Sequence, residues 1–275
     1  IQVASEYVVH AIRWMAATSG QPVDAIGHSQ GPLEIRCAIR WWPDLAGLVD
    51  DVVSIAGAHH GSTVLDQLCR VPCAAAAWQM RPASNFLAAL NAGDETPPGP
   101  SWTSIWSQDD GAIMPPDASI QDGAANVRVQ DLCPGRSVDH NRLIVDAVVF
   151  ELVLDALGHE GPADVGRFDA TTCAEDLAPG AAPPPGEPDA TIETVEFFAI
   201  ILTSAPLLIE EPALAGYATT APGAEPVKPS PVSAENASSL PETGATGAVA
   251  CGLLLSLSAR SLQSRSRWKI GRSVA

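Results

Sequence analysis

One short segment, residues 23–31, constrains the fold more than any other part of the chain. It begins with an apolar run at residues 23–26 that is typical of a buried strand, and it ends in Gly27-His28-Ser29-Gln30-Gly31, the pattern G-x-S-x-G. Residues 32–42 then have the spacing of a helix, and Pro32 is tolerated in its first turn. The segment therefore predicts a strand that reverses sharply into a helix, with a serine at the tip of the turn.

Such a turn gives a serine the geometry of a nucleophile. The hydroxyl of Ser29 is held near the positive end of the helix that follows. The N–H of Gln30, the next residue, can point toward the oxyanion that forms when the serine attacks a carbonyl group. On this motif alone, the alternative is an ordinary serine in a strand–helix turn.

The acid that would support this nucleophile follows a later strand. Residues 101–106 are predicted to form a strand, and Asp109 and Asp110 come soon after it. An acid just past the end of a strand is where the orienting carboxylate of a Ser-His-acid site belongs. Either aspartate could serve, and a turn-forming aspartate is the alternative for each.

The base is predicted at His140. This histidine comes after the acid and after another predicted strand, residues 126–132, and we expect it to open a helix that runs to residue 157. His28 is adjacent to the nucleophile and should point away from its hydroxyl. Since serine, acid and histidine occur in the chain order of a known hydrolase type, the sequence predicts a serine hydrolase site built on Ser29.

Two adjacent histidines, His59 and His60, follow a further predicted strand, residues 49–55. Histidines at the mouth of a site can serve as hydrogen-bonding groups as well as catalysts. Because no acid follows at a useful position, we predict a structural role or a role at the rim of the substrate site.

The six cysteines are too few for a mini-protein built on disulfides. Cys69 and Cys73 lie close together, Cys133 and Cys173 flank the candidate base, and Cys37 is predicted to be a small core residue. Two disulfides would suit an exported protein, but the sequence does not fix which cysteines pair. No group of cysteines and histidines has the spacing of metal ligands, so we expect no metal and no cofactor.

The charge of the chain excludes one class of partner. Its 275 residues carry 15 basic and 32 acidic side chains, a net charge of −17. This balance is unfavourable for binding nucleic acid. An acidic body is suited to solubility outside the cell.

The C-terminal part changes composition several times. Residues 178–189 are rich in proline, and residues 191–210 are so apolar that a membrane helix is one interpretation. Pro206 and the flanking acids shorten that run below the roughly 20 residues that a membrane span needs. Residues 219–239 form a Pro/Ala/Ser/Glu linker. Then come Leu240-Pro241-Glu242-Thr243-Gly244, an uncharged run and a basic end.

Four segments together resemble the bacterial branch of the class 2 triacylglycerol lipases, which are related to the fungal lipase B type. The segments are Gly27-His28-Ser29-Gln30-Gly31, Ala58-His59-His60-Gly61-Ser62-Thr63, Ser107-x-x-Asp110-x-x-Ile113-x-Pro115 and Val138-Asp139-His140. The resemblance implies an α/β-hydrolase fold, in which helices flank a mostly parallel sheet. It also implies a triacylglycerol lipase or esterase that acts as a monomer on lipid or ester substrates without a cofactor.

The resemblance assigns roles that the residues alone leave open. The family pattern fits Asp110 as the acid, whereas Asp109 would shift the aliphatic position away from Ile113. A C-terminal helix within residues 191–210 is expected to pack over the mouth of the active site. The resemblance also implies two disulfides: Cys69–Cys73 and Cys133–Cys173.

The end of the chain resembles the sortase signal of Gram-positive surface proteins. Such a signal is cut between Thr243 and Gly244, and sortase joins the protein to peptidoglycan. The resemblance therefore implies an extracellular protein anchored to the cell wall, with a simple membrane anchor as the alternative. The expected parts are residues 1–177 as a truncated catalytic domain, 178–218 as hinge and helix, 219–239 as linker and 240–275 as sorting signal.

The first residues of the chain affect whether we expect it to be active. Residues 1–18 are predicted to form a helix, yet the strand predicted at residues 23–26 needs earlier strands beside it in a parallel sheet. We therefore expect the N-terminal strands and the second oxyanion donor to be missing, and this chain to fold poorly and be inactive where the full-length protein is active. Two alternatives to a lipase stay open. One is an acyltransferase or polyester hydrolase with the same site, and the other is a non-catalytic surface binding protein on a degenerate hydrolase scaffold.

Overall fold

The computed structural model describes residues 1–182 and 206–219. Its strands are β1 (Val23–His28), β2 (Val49–Ile55), β3 (Cys73–Ala74), β4 (Ser101–Trp106), β5 (Ala125–Arg128) and β6 (Leu207–Leu208). The main sheet has the order β1-β2-β4-β5, and each neighbouring pair is parallel. The predicted mostly parallel sheet is thus confirmed.

The register of the sheet aligns the ends of its strands. Ile55 at the end of β2 lies opposite His28 at the end of β1, and opposite Ile105 in β4. Because parallel strands all run the same way, the loops that follow them meet at one edge of the sheet. The segments that carry Ser29 and Asp110 are two of these loops.

Helices flank the sheet on both faces. They are α1 (Gln2–Ser19), α2 (Gly31–Trp41), α3 (Thr63–Leu68), α4 (Ala75–Gln79), α5 (Asn85–Leu90), α6 (Val129–Leu132) and α7 (Ala147–Gly158). Helices α1 and α2 share one apolar cluster with Val52, whereas α7 shares another with Val53, the next residue of the same strand. This alternation follows from the two-residue period of a strand and places a core on each side of the sheet.

Two predicted boundaries are wrong. The strand predicted over residues 126–132 ends at Arg128, and the remaining residues form the helical turn α6. The alternating Val127 and Val129 are typical of a strand, but hydrogen bonds with distant residues hold the turn. The buried Gln130 side chain donates to the Ser107 hydroxyl at 2.8 Å and accepts from the Gln108 N–H at 3.0 Å.

The helix predicted to begin at His140 begins later. A 3-10 turn spans Arg142–Ile144, and α7 begins at Ala147. Asp146 is the N-cap of α7, since its side chain accepts hydrogen bonds from the N–H groups of Val148 and Val149. His140 therefore lies in a loop, and the aspartate before the apolar run is the signal that marks the true start of the helix.

Both cysteine pairs that the resemblance implies lie at disulfide distance. The Cα atoms of Cys69 and Cys73 are 5.3 Å apart, and those of Cys133 and Cys173 are 5.5 Å apart. Cys37 is a buried free thiol, and burial raises its pKa to about 12. The predicted core role of Cys37 agrees with this position.

The described C-terminal residues return to the body of the protein. The short strand β6 pairs antiparallel with β3, so residues 207 and 208 do not belong to the C-terminal helix predicted within residues 191–210. The Glu211 carboxylate accepts hydrogen bonds from the N–H groups of Asn85 and Phe86, each at 2.8 Å. The Tyr217 hydroxyl donates to the Gln2 carbonyl at 2.9 Å. These bonds fix residues 206–219 against α1 and α5.

Several predictions concern residues outside the described part of the chain. These are most of the proline-rich segment, the apolar residues 191–205, the linker and the sortase-like signal with Thr243 and Gly244. Within residues 1–182 and 206–219, no helix combines the length and the apolar composition needed to cross a membrane.

Candidate active site

Ser29 occupies the predicted turn between β1 and α2. Its φ angle is +61°, a left-handed conformation that costs of order 1–3 kcal/mol in a residue other than glycine. Two backbone hydrogen bonds hold Ser29 in this conformation. Its N–H donates to the Ile55 carbonyl at 3.0 Å, and its carbonyl accepts from the Ala58 N–H at 3.2 Å. A Cβ atom on Gly27 would lie 2.6 Å from the backbone nitrogen of Pro32, so glycine is required where strand and helix cross.

Asp110 and His140 are joined by a buried hydrogen bond. His140 Nδ1 lies 2.8 Å from Asp110 Oδ2, and the side chains of His140 and Asp110 are 7% and 1% exposed. Because a carboxylate only accepts, Nδ1 carries the proton and Nε2 has the lone pair. The second oxygen of Asp110 accepts from the N–H groups of Ala112 and Ile113, both at 2.8 Å. Asp109, the other candidate acid, is exposed.

His28 links the loop that carries His140 to the turn that carries Ser29. Its ring centroid lies 4.6 Å from that of His140, and its Nε2 donates to the His140 carbonyl at 2.9 Å. Burial, together with the proximity of His140, lowers the pKa of His28 to about 3, so its ring is neutral. Since His28 directly precedes Ser29, these contacts place the His140 imidazole beside the serine turn. Nothing in the sequence beyond its position in the motif marks this supporting role.

The N-terminus of α2 supplies a hydrogen-bond donor. Among the hydrogen bonds of the described residues, none uses the N–H of Gln30. The Gln30 side chain donates to Glu34 Oε1 at 2.6 Å, and burial raises the pKa of the Glu34 carboxyl group. The backbone donor therefore stays available at the positive end of a helix, next to Ser29.

His59 belongs to a buried polar network with Arg36 and Ser54. Arg36 Nη1 lies 3.2 Å from His59 Nδ1, and His59 Nε2 lies 2.8 Å from the Ser54 hydroxyl. Because a guanidinium group only donates, Nδ1 accepts and Nε2 donates to Ser54. Burial, with the nearby Arg36 charge, holds the pKa of His59 well below its usual value. His59 therefore has a structural role, which is one of the two roles that the sequence left open.

His60 makes a pH-dependent contribution to the stability of the fold. It pairs with Glu95 at 2.9 Å, and this hydrogen bond raises the pKa of His60 above its ordinary value of 6.5 despite partial burial. Burial alone would raise the pKa of Glu95, but hydrogen bonds from His60 and the Asp122 N–H lower it below 4.5. The Glu95 contribution to stability is therefore present above about pH 4.5 and is lost as the pH falls through the lowered pKa of Glu95. The His60 contribution is present below about pH 6.5 and is lost as the pH rises through the raised pKa of His60.

We expect His60→Gln to remove this dependence. Between about pH 6 and pH 8.5, the unfolding temperature of the parent chain should fall further than that of the variant. Because the His60 side chain is 44% exposed, the difference should correspond to at most about 1 kcal/mol. Thermal unfolding of both proteins across this range measures it, and parallel curves would contradict the assignment.

One other group of acids is close enough to share a cation. Among the described residues, the carboxylates of Asp24, Asp50 and Asp51 lie within 4.8 Å of one another. They occupy the amino ends of β1 and β2, at the edge of the sheet opposite Ser29. The group is therefore separate from the Ser29 site.

Comparison with known proteins connects this geometry to a family. The family model described as Lipase (class 2) matches residues 9–149, a span that contains Ser29, Asp110 and His140. The solved structure of Aspergillus fumigatus lipase B is 27% identical, with a TM-score of 0.67, over 79% of this chain and 56% of that chain. This chain thus spans little more than half of the fungal enzyme.

A second solved structure is more distant. The mature Bacillus licheniformis lipase BlEst2 is 12% identical, with a TM-score of 0.39, over 46% of this chain and 64% of that chain. No curated protein matches this chain.

Proposed function

Because this chain belongs to the class 2 lipase family, we propose that it hydrolyses carboxylic esters of lipids through a covalent intermediate on Ser29. The observation that carries the proposal is the buried hydrogen bond between Asp110 and His140, beside the strained turn that holds Ser29. A buried carboxylate that orients a histidine next to a serine at a strand–helix turn is the arrangement that activates a hydroxyl group.

In the first half of the reaction, His140 acts as a base. Its Nε2 takes the proton of the Ser29 hydroxyl while the serine oxygen bonds to the ester carbonyl carbon. Asp110 holds the Nδ1 proton and stabilises the imidazolium that forms. The tetrahedral intermediate then collapses, His140 protonates the departing alcohol, and an acyl-enzyme ester remains on Ser29.

In the second half, water takes the place of the serine. His140 removes a proton from water as it attacks the acyl carbonyl, and it returns that proton to Ser29 when the acid is released. In both halves the Gln30 N–H stabilises the negative oxygen, assisted by the dipole of α2. Removing one such donor typically lowers the rate about 100-fold to 1,000-fold.

Two exposed apolar side chains follow the acid and the base in the chain. Met114 comes four positions after Asp110 and is 36% exposed, and Ile144 comes four positions after His140 and is 41% exposed. Pockets for lipid-like ligands are typically lined by apolar groups around a few polar ones. These two side chains support an ester with an acyl chain as the substrate class.

A fluorophosphonate probe tests the proposal directly. We expect it to phosphonylate the chain once, with loss of fluoride, and peptide mass spectrometry should locate the label on Ser29. Hydrolysis of p-nitrophenyl butyrate should decline in proportion to labelling. Labelling at another serine, or hydrolysis that persists in fully labelled protein, would refute the proposed site. A chain that circular dichroism shows to be folded, but that neither labels nor hydrolyses, would refute the activity proposed for it.

A further inference from the structure

The loop after β2, residues 56–62, and the start of α3 contact both halves of the proposed catalytic machinery. Near the start of the loop, the Ala58 N–H donates to the Ser29 carbonyl at 3.2 Å. At the first residue of α3, the Thr63 N–H donates to the Met114 carbonyl at 2.8 Å. The loop therefore connects the serine turn to the segment that follows Asp110.

Ser62 makes the central contact with that segment. Its side chain is buried, and the residue is 1% exposed. The hydroxyl donates to the Ala112 carbonyl at 2.7 Å and accepts from the Met114 N–H at 3.1 Å. It also accepts from the Val64 N–H, at a longer 3.3 Å, as the N-cap of α3. The two shorter bonds lead to residues 107–115, which we call the acid loop, rather than to the helix.

These contacts act on the peptide group that orients Asp110. The Ala112 carbonyl, which accepts from Ser62, and the Ile113 N–H, which donates to Asp110 at 2.8 Å, belong to the same planar peptide unit. A planar unit held at its oxygen cannot turn without moving its N–H. The Ser62 hydroxyl thus fixes the direction of a donor that holds the catalytic carboxylate.

We propose that Ser62 is a positioning residue, which sets the orientation of Asp110 toward His140 through the Ala112–Ile113 peptide. The expected effect of Ser62 on turnover rests on the ester hydrolysis proposed above. Ser62 itself touches neither substrate nor the reacting atoms. Its role is to keep the Asp110 oxygen within hydrogen-bond distance of His140 Nδ1.

Replacing Ser62 by alanine tests this role. Without the hydroxyl, the Ala112 carbonyl loses its donor and the peptide is free to turn. We expect kcat for p-nitrophenyl butyrate to fall about 10-fold to 100-fold with KM little changed, the size of effect typical of a small misplacement of a catalytic group. Ser62→Thr keeps the hydroxyl and should restore kcat to near the parent value.

A matched serine separates positioning from stability. Ser84 is likewise a buried N-cap, since its hydroxyl accepts from the Leu87 N–H at 3.1 Å and donates to the Gln79 carbonyl at 2.8 Å. Among the described residues, the Ser84 hydroxyl has no hydrogen-bond partner in the acid loop. Ser84→Ala should lower the unfolding temperature about as much as Ser62→Ala does and leave kcat unchanged. Equal losses of kcat in both alanine variants would overturn the proposal.

A readout that needs no turnover completes the test. The His140 Nδ1 proton, shared with Asp110 at 2.8 Å, should give a downfield proton NMR signal that is absent from His140→Ala. The signal should persist in Ser84→Ala and shift or broaden in Ser62→Ala. An unchanged signal in Ser62→Ala would refute the positioning role. If the parent chain shows the signal but hydrolyses no ester, the proposed function fails, and the response to Ser62→Ala still decides the positioning role.

Discussion

Replacing Asp110 by asparagine should lower kcat for ester hydrolysis by about 10⁴-fold, the loss typical of this change in a Ser-His-Asp site. The carboxylate accepts the proton of His140 Nδ1 at 2.8 Å. An asparagine amide can instead donate to Nδ1, which moves the ring proton to Nε2, where the base must accept the proton of Ser29. The variant keeps the shape of the site, but its His140 has the proton on Nε2 and cannot act as the base.

Asp109 provides the matched control. It is the adjacent residue in the chain, but it is exposed and its backbone N–H donates to the Ser107 hydroxyl. Asp109→Asn should leave kcat within about twofold, since surface substitutions away from special contacts have small effects. The measurement is kcat for p-nitrophenyl butyrate in both variants, with circular dichroism to verify folding. Similar losses at the two positions, or a larger loss at Asp109, would show that the acid is assigned wrongly.

The parts of the site that the sequence predicts are those that local patterns specify. Ser29 is marked by an apolar strand, two glycines and a helix that are contiguous in the chain, and the structure has this strand, turn and helix. Asp110 and His140 each follow a strand, and parallel strands bring such loops to one edge of a sheet. Short-range spacing together with one rule of topology therefore predicts which segments meet.

The parts that sequence reasoning misses depend on contacts between distant residues. His28 meets His140 across 112 positions of the chain, and Ser62 meets Ala112 across 50. No spacing rule predicts such a pair. The error at residues 129–132 has the same cause, because the side chain of Gln130 bonds to Ser107 and so favours a helical turn over the strand that alternating valines predict.

A second buried pair, the ion pair of Arg136 and Asp146, lies in the loop that carries His140. Breaking it should have the largest effect on stability that we expect. Arg136 Nε donates to Asp146 Oδ2 at 2.7 Å, and the two side chains are 8% and 2% exposed. Arg136 also donates to the carbonyl oxygens of Cys173, Glu175 and Asp176. One guanidinium group thus joins both ends of the loop that carries His140, residues 133–146, to residues 173–176.

Arg136→Met should lower the free energy of unfolding by about 3–5 kcal/mol, because it leaves the Asp146 carboxylate buried without its counter-charge. Arg13→Met is the control. Arg13 makes two hydrogen bonds of 2.8 Å to Asp44, yet the side chains are 40% and 53% exposed, so its loss should cost less than about 1 kcal/mol. Urea unfolding of the three proteins measures both values.

The double variant Arg136→Met with Asp146→Asn identifies the cause of the loss. If the penalty comes from an uncompensated buried charge, removing that charge should recover part of the lost stability, since asparagine still accepts hydrogen bonds as the N-cap of α7. If the penalty comes from the three carbonyl groups that lose Arg136 as a donor, the second substitution should recover nothing. A loss in Arg136→Met no greater than that in Arg13→Met would show that burial does not strengthen this pair.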